Sequence, residues 1–272
     1  MKEDGIGPGQ IIRRKQDGSL EYHRDELTIE EPLEIRIGEE TIATTMRTPG
    51  HDEELAAGFL LSEAVVRNGD KIDKFSRPKT ARNRENIVIV DLAGGTKVKL
   101  NPAQRLGTIS SSCGLCGKES IEAIRQNFPP IESTSFRIEI ATLLSLPLLL
   151  RERQSEFART GGIHAAGIFD SDGKALTVRE DIGRHNAVDK AIGRAFLDRK
   201  LPLDQHLLLV SGRASFEIMQ KALAAGIPMV ASVSAPSSLA MEFARQNNQT
   251  LIGFLRPPSF NIYSHVERVI LD

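Results

Sequence analysis

Cys113 and Cys116 are the only two thiols in the chain and stand together in Ser110-Ser111-Ser112-Cys113-Gly114-Leu115-Cys116-Gly117. The thiolate is the reactive form of cysteine, and thiolate character rises beside positive charge or at the N-terminus of a helix, where unpaired amides face outward. Lys118, and a helix expected over residues 118–127, supply both influences. The flanking glycines let another protein or a bulky cofactor come close to the sulfur. Three chemistries fit such a pair: sulfur or thiol transfer, reversible disulfide exchange, and half of a metal site. A tetrahedral metal site needs four ligands, and only histidines, at no finger-like spacing, remain to complete it. A thioredoxin-type pair directly follows a strand in a compact βαβ unit. Here the pair lies in the long serine- and glycine-rich segment 106–117, which is expected to be an exposed, mobile linker.

Four polar clusters recur further along: residues 160–164 (TGGIH), 179–186 (REDIGRHN), 211–215 (SGRAS) and 234–237 (SAPS). Each is expected to fall just after a strand. In open α/β sheets ligands sit outside the carboxyl ends of strands, against helix N-termini that favour phosphate. Ser, Asp and Gly are also ordinary capping and turn residues, so any one cluster is adequately explained by local structure. Four in succession, with Arg184 and Arg213 among them, point to a polyanionic ligand, because arginine grips phosphate through paired hydrogen bonds. His164 and His185 are capable of acid-base work, but neither has a nucleophile beside it in sequence, and both read first as turn or core histidines. Residues 47–54 (RTPGHDEE) read as a helix start with an acidic first turn.

The elements that must position these groups form two sets. Residues 32–36 and 41–46 alternate apolar and polar around a turn at residues 38–40 and read as a hairpin; residues 51–66 have helical spacing and 87–92 form a strand. This is a small α+β domain over residues 21–105, after a flexible N-terminal arm over residues 1–20, polar, glycine-containing and without apolar period, which is expected to be frayed and irregular. A mobile cysteine loop spans 106–118. Residues 119–272 then carry a helix at 143–159 and a regular alternation: strands at 163–169, 175–178, 206–210, 228–233 and 250–255, with helices around 188–196, 216–223 and 239–243. Such alternation implies parallel strands joined by crossover helices in a layered α/β domain.

Thirty-five basic and thirty-six acidic residues in 272 leave a formal charge of -1, so no global field favours nucleic acid or an anionic membrane. The N-terminus lacks the apolar stretch of a secretory signal, and the greasiest run, 140–150, is about half of the roughly 20 residues needed to span a bilayer. One C-x-x-C without a disulfide framework fits a reducing cytoplasm.

The segments TMRTPGHDEELAAGFLLSE (45–63), SSCGLCGKESIE (111–122), FARTGGIHAAGIFD (157–170), VREDIGRHNAVDKAIG (178–193), SGRASFEIMQKA (211–222) and ASVSAPSSLA (231–240) together resemble, in matching order, the formate dehydrogenase accessory (FdhD) family. The resemblance spans nearly all of the chain after residue 20. It implies a cytidine-deaminase-like larger domain and a sulfurtransferase that takes sulfur from a cysteine desulfurase. The sulfur passes to the bis-molybdopterin guanine dinucleotide molybdenum cofactor required by formate dehydrogenase. The family's persulfide cysteine carries onto Cys113, with Cys116 as its assistant. Its cofactor-binding stretch carries onto Phe254, Leu255, Arg256, Pro257, Pro258 and Ser259, where this chain has Pro257, Pro258 and Ser259 in place of the glycines or basic residues of many relatives. Arg184, Arg213 or Arg256 would stand near pyrophosphate. The deaminases of that fold use H-x-E with a separate P-C-x-x-C; His164-Ala165-Ala166 lacks the glutamate, which disfavours deamination. No resident metal is expected. A homodimer is the commonest assembly by symmetry. The rival readings are a dithiol redox protein and a cofactor-binding chaperone without persulfide chemistry.

Overall fold

The computed structural model describes residues 5–80, 83–93, 128–132 and 135–271. Cys113, Cys116 and the helix expected at 118–127 lie outside the described residues.

The alternating segments form the expected hairpin, β3 (Glu31–Ile37) and β4 (Glu40–Arg47), closed by Gly38 at φ 59. Leu33 and Ile35 point into the core, the period-two pattern of a half-buried strand. β6 (Ile87–Leu92) adds parallel to β3, and β5 (Ile72–Ser76) antiparallel to β6, giving the order β4-β3-β6-β5. Helix α1 (Asp52–Ser62) follows β4.

A two-residue strand, β7 (Ile138–Glu139), pairs in parallel with β14 (Val269–Ile270), and the larger sheet has the order β13-β12-β11-β10-β8-β9, built from β8 (His164–Phe169), β9 (Ala175–Asp181), β10 (Leu207–Val210), β11 (Met229–Ser232), β12 (Thr250–Arg256) and β13 (Ser259–Ser264). Its helices are α2 (Ile140–Arg151), α3 (Ser155–Thr160), α4 (Arg184–Leu197), α5 (Phe216–Ala224) and α6 (Ser238–Gln246). The all-parallel expectation holds for β10, β11 and β12. The pairs β8–β9, β8–β10 and β12–β13 are antiparallel. Short turns, at Gly173 and at Pro257-Pro258, join the two hairpins, and a connection that short yields only antiparallel neighbours.

Both faces of this sheet are covered. Leu208 and Val210 join α1, α4, α5 and α6 in one apolar core; Leu207 and Leu209 join α2 in another. The first core is continuous with the β3–β4 sheet, so the small α+β unit and the larger unit share it. Helices α1 and α4 meet so closely that a Cβ on Gly58 would stand 1.9 Å from the Asp189 carbonyl oxygen, and one on Gly193 would stand 1.8 Å from that of Glu54. Only glycine permits that backbone approach.

Two expectations are corrected. The N-terminal arm is not irregular: β1 (Ile6–Arg14) and β2 (Leu20–Thr28) pair as an antiparallel ribbon around Gly18, φ 86. Ile12, Leu20 and Tyr22 are exposed on it, so no apolar alternation was required, and the Asp17 side chain accepts the Ser19 amide to close the turn. The single helix expected at 143–159 is two. Glu180 accepts the amides of Glu156 and Phe157 at 3.0 and 2.9 Å, which starts α3 as a separate helix. Among the described residues no helix is long and apolar enough to cross a membrane.

Candidate functional site

All four polar clusters meet at one edge of the larger sheet. Segments 211–215 and 234–237 leave the carboxyl ends of β10 and β11, as the strand-end rule expects. Residues 160–164, expected just after a strand, instead run from the end of α3 into β8, whose first residue is His164, and 179–186 run along the end of β9. They reach the same edge because β8 is antiparallel to β10, which sets His164 across from Asp181 and Ala166 across from Val210.

Hydrogen bonds hold these turns in place. The Ser211 hydroxyl accepts the Ala165 amide at 2.9 Å, and the Ser232 hydroxyl donates to the Gly212 carbonyl at 2.7 Å. The Ser237 amide donates to Ala214, and the Ser237 side chain caps α6 through the Ala240 amide. The Phe254 amide donates to Ser234, and Arg256 Nε donates to the Val233 carbonyl at 2.9 Å, fastening the end of β12 to the turn after β11.

Asp181 is fully buried and anchors the adjoining loop. Its carboxylate accepts the amides of Gly183 and Thr48, receives the Asn186 side chain, and pairs with Lys190 Nζ at 2.7 Å. This fixes the N-terminus of α4 and ties it to residues 45–48 after β4, through the Asn186 bond to the Met46 carbonyl and the Lys190 bond to the Thr48 carbonyl. The 47–54 segment thus braces the edge, a role sequence reasoning missed because its partner lies more than a hundred residues away.

Arg184 and Arg213 make no hydrogen bond or ion pair among the described residues, and Arg184 Nε is buried without a partner. Arg213 is exposed. Arg179, in contrast, is spent on Glu54, at 2.5 and 2.8 Å. His185 Nε2 faces both Ser215 Oγ, at 3.1 Å, and Glu217 Oε2, at 2.9 Å. Because the two share one ring nitrogen, they do not form a Ser-His-Glu relay, which needs the carboxylate on the other nitrogen. Burial first, then Arg184 and His185, hold the His164 imidazole below its ordinary value, so it is neutral at pH 7.

The stretch 254–259 forms the end of β12, a turn at Pro257-Pro258 and the first residue of β13. Phe254, Arg256, Pro257, Pro258 and Ser259 are exposed at this edge, whereas the Leu255 side chain belongs to the second apolar core. A cavity of about 620 Å³ lies under the edge: to His164, Ile182 and Ser211 of the sequence clusters it adds residues that sequence reasoning missed, among them Arg151 at the end of α2, Gln154 just before α3, Phe157 of α3 and Val233 after β11. Among the described residues no cluster of side chains is arranged to hold a metal.

The FdhD/NarQ family model matches residues 28–270. The chain belongs to the FdhD/NarQ family. It is 47% identical over 266 residues to the sulfur carrier protein FdhD of Streptomyces coelicolor, covering 96% of this chain and 94% of that protein. It is 42% identical to that of Thermoplasma volcanium, over 98% of each chain. Its fold is that of a crystal structure from Desulfotalea psychrophila, provisionally named a formate dehydrogenase accessory protein, with a TM-score of 0.77, 22% identity and coverage of 98% of this chain and 100% of that one. In this FdhD/NarQ chain the strand edge, with unpaired Arg184 and Arg213 beside Arg256, has the chemistry to receive a polyanion.

Proposed function

We propose that the chain is a sulfur carrier. The Cys113 thiolate attacks the outer sulfur of a persulfide on a cysteine desulfurase, forming Cys113-S-SH and releasing the desulfurase thiolate. Thiol exchange of this kind is fastest when the attacking thiol titrates near ambient pH. The outer sulfur then passes to the molybdenum of a bis-molybdopterin guanine dinucleotide cofactor, the acceptor substrate for use by formate dehydrogenase: the S–S bond breaks, the Cys113 thiolate leaves, and reduced molybdenum of the substrate would supply the two electrons that make the sulfur a sulfido ligand. Cys116 assists. The guanine dinucleotide arms lie along the strand edge, where Arg184, Arg213 and Arg256 meet pyrophosphate and the exposed residues of 254–259 border it.

Family membership supports the sulfur chemistry. The observation that carries the acceptor is the pair of arginines, Arg184 and Arg213, left without ion-pair partners among the described residues at an edge where helix N-termini converge. The test is the mass of the protein after incubation with a desulfurase and cysteine. The native chain gains about 32 Da, one sulfur added as in persulfide formation. The Cys113→Ala chain gains nothing and does not activate formate dehydrogenase, while Cys116→Ala retains part of the transfer. Activation by Cys113→Ala would leave a cofactor-binding chaperone, and equal loss in both variants a dithiol redox protein.

A further inference from the structure

The β1–β2 ribbon is fastened to the rest of the protein at one end only. There the Thr28 hydroxyl donates to Thr160 at 3.0 Å, and Glu26 receives Arg159 Nε at 2.9 Å, which ties β2 to α3. Thr160 begins the 160–164 segment that leads into β8 and the strand edge. The ribbon therefore rises beside the proposed site as an arm, without forming part of it.

Beyond this base one face of the arm is left open. Residues directly opposite in an antiparallel pair share a face, and every second residue along a strand returns to it. Gln10 pairs with Arg24, Ile12 with Tyr22 and Arg14 with Leu20, so these six stand together, and all six are exposed. Tyr22 is 86% and Leu20 66% exposed, so the fold makes little use of their apolar surface. The other face behaves differently: there Glu21 accepts from Lys15 and stands 3.1 Å from His23. Arg14 and Arg24 make no hydrogen bond or ion pair among the described residues. The open face thus combines three apolar side chains with two unmatched guanidiniums and no carboxylate. Tyrosine and arginine set among apolar groups are the residue types that carry protein–protein contacts, and a contiguous exposed patch of this kind marks such a surface.

Charge selects the occupant. Two copies of the chain stacked by these faces would bring four guanidiniums together without a counter-ion, which disfavours a second arm as the partner. Nucleic acid is disfavoured as well, because Asp17, Glu21 and Asp25 lie on the same arm and the whole chain has a formal charge of -1. A protein surface of apolar side chains ringed by carboxylates is the complement. In the proposed reaction the acceptor is a small molecule at the edge, whereas the sulfur arrives on a protein. The donor is then the partner that must be held beside the edge while its persulfide is attacked.

We infer that the open face of the β1–β2 arm is the docking surface for the sulfur-donating protein, with Leu20 and Tyr22 as its anchors and Arg14 and Arg24 meeting carboxylates of the donor. The inference rests on the sulfur-carrier reading for the identity of that partner.

Titration of a purified cysteine desulfurase into the full chain carrying Cys113→Ala tests the surface apart from sulfur exchange. Adding Leu20→Ser with Tyr22→Ser should raise the Kd roughly tenfold or more, the loss expected when interface anchors are removed. Arg14→Glu with Arg24→Glu should weaken binding strongly at about 0.05 M salt and much less at about 0.5 M, since exposed charges are screened. Both variants should melt as their parent does, because the exposed side chains take no part in the core. With Cys113 restored, both should also accept sulfur from glutathione persulfide at the native rate. In that step the Cys113 thiolate takes the outer sulfur and the glutathione thiolate leaves, and a donor so small needs no docking surface. Desulfurase affinity unchanged in both variants, or no desulfurase binding to the parent chain, would overturn the inference. Intact desulfurase binding with impaired activation of formate dehydrogenase would overturn it in favour of the client enzyme, and intact binding with a changed sedimentation coefficient in favour of a second copy. Arm-dependent desulfurase binding in a native chain that gains no sulfur would sink the carrier reading and leave the docking surface standing.

Discussion

The helix interface between α1, α4 and α5 and the strand edge use the same cationic residue types to opposite ends. At the interface Lys221 meets Asp189 at 2.7 Å, Arg179 meets Glu54, and Arg47 and Arg77 both meet Asp52. At the edge Arg184 and Arg213 form no ion pair among the described residues. A chain whose formal charge is -1 therefore separates its cations into those neutralised inside the fold and those left open where turns and helix N-termini converge. Matched charges hold elements together, and unmatched ones are available to a ligand. The distinction comes from partners, because nothing in residue type separates Arg179 from Arg184 five positions later.

The sharpest way to break the comparison is at the interior pair. Burial alone would lower the Lys221 ammonium, but Asp189 and Glu63 outweigh it and raise the pKa. Asp189 also accepts the Ser62 hydroxyl at 2.9 Å, which binds α4 to α1. Lys221→Met leaves Asp189 buried without its counter-charge, so a loss of about 3–5 kcal/mol is expected in denaturant unfolding. Replacing both partners, Lys221→Met with Asp189→Leu, should recover much of it, since the uncompensated charge is gone. A double variant as unstable as the single one would mean that the pair is not what links these helices.

Much of the larger domain was legible because its burial is one-sided and periodic. Val188, Ala191, Ile192 and Ala195 mark α4 at helical spacing, and the continuous apolar runs Leu207–Val210 of β10 and Met229 to Ala231 of β11 are what a strand covered on both faces requires. The ribbon β1–β2 was not legible, since it exposes apolar residues and pairs only with itself. β5, a short strand with two charges in IDKFS, carried too little pattern to register. At the site, the rule of strand ends found Arg184, Arg213 and the serine turns. The cavity lay beyond it: Arg151, Gln154 and Phe157 come from helices that read as plain packing, and only the antiparallel course of β8 brings His164 beside them. The expectation that Cys113 and Cys116 are reactive rested on residue type, and both lie outside the described residues.

A milder break lies at Glu54, which joins α1 to β9. Burial pushes its pKa up, but the Arg179 guanidinium and His51 outweigh that and hold the carboxyl at about 2. A pKa depressed on folding contributes stability that is complete above the ordinary value of 4.5 and is lost as pH falls toward 2. Glu54→Gln should therefore cost about 3 kcal/mol at neutral pH, from a shift of this size, and flatten the acid limb of the stability curve over that window. An unchanged acid limb in Glu54→Gln would assign the acid sensitivity to other carboxylates.

The smallest expected effect belongs to the unmatched side. Arg213 is exposed, so a phosphate there remains partly in contact with water and the attraction is screened by salt. Arg213→Ala should weaken guanine nucleotide binding by about 1 kcal/mol, between a surface ion pair and a buried charge-assisted bond, which is roughly fivefold. The deficit should shrink as salt is raised from about 0.05 to 0.5 M, because the Debye length falls below the spacing over which Arg213 acts. Stability should not move, since no carboxylate loses a partner. That last point carries the comparison: removal of a matched cation such as Lys221 is read in unfolding, and removal of an unmatched one in binding. A stability loss in Arg213→Ala comparable to that of Lys221→Met would show that its charge is engaged within the fold, and would remove it from the site.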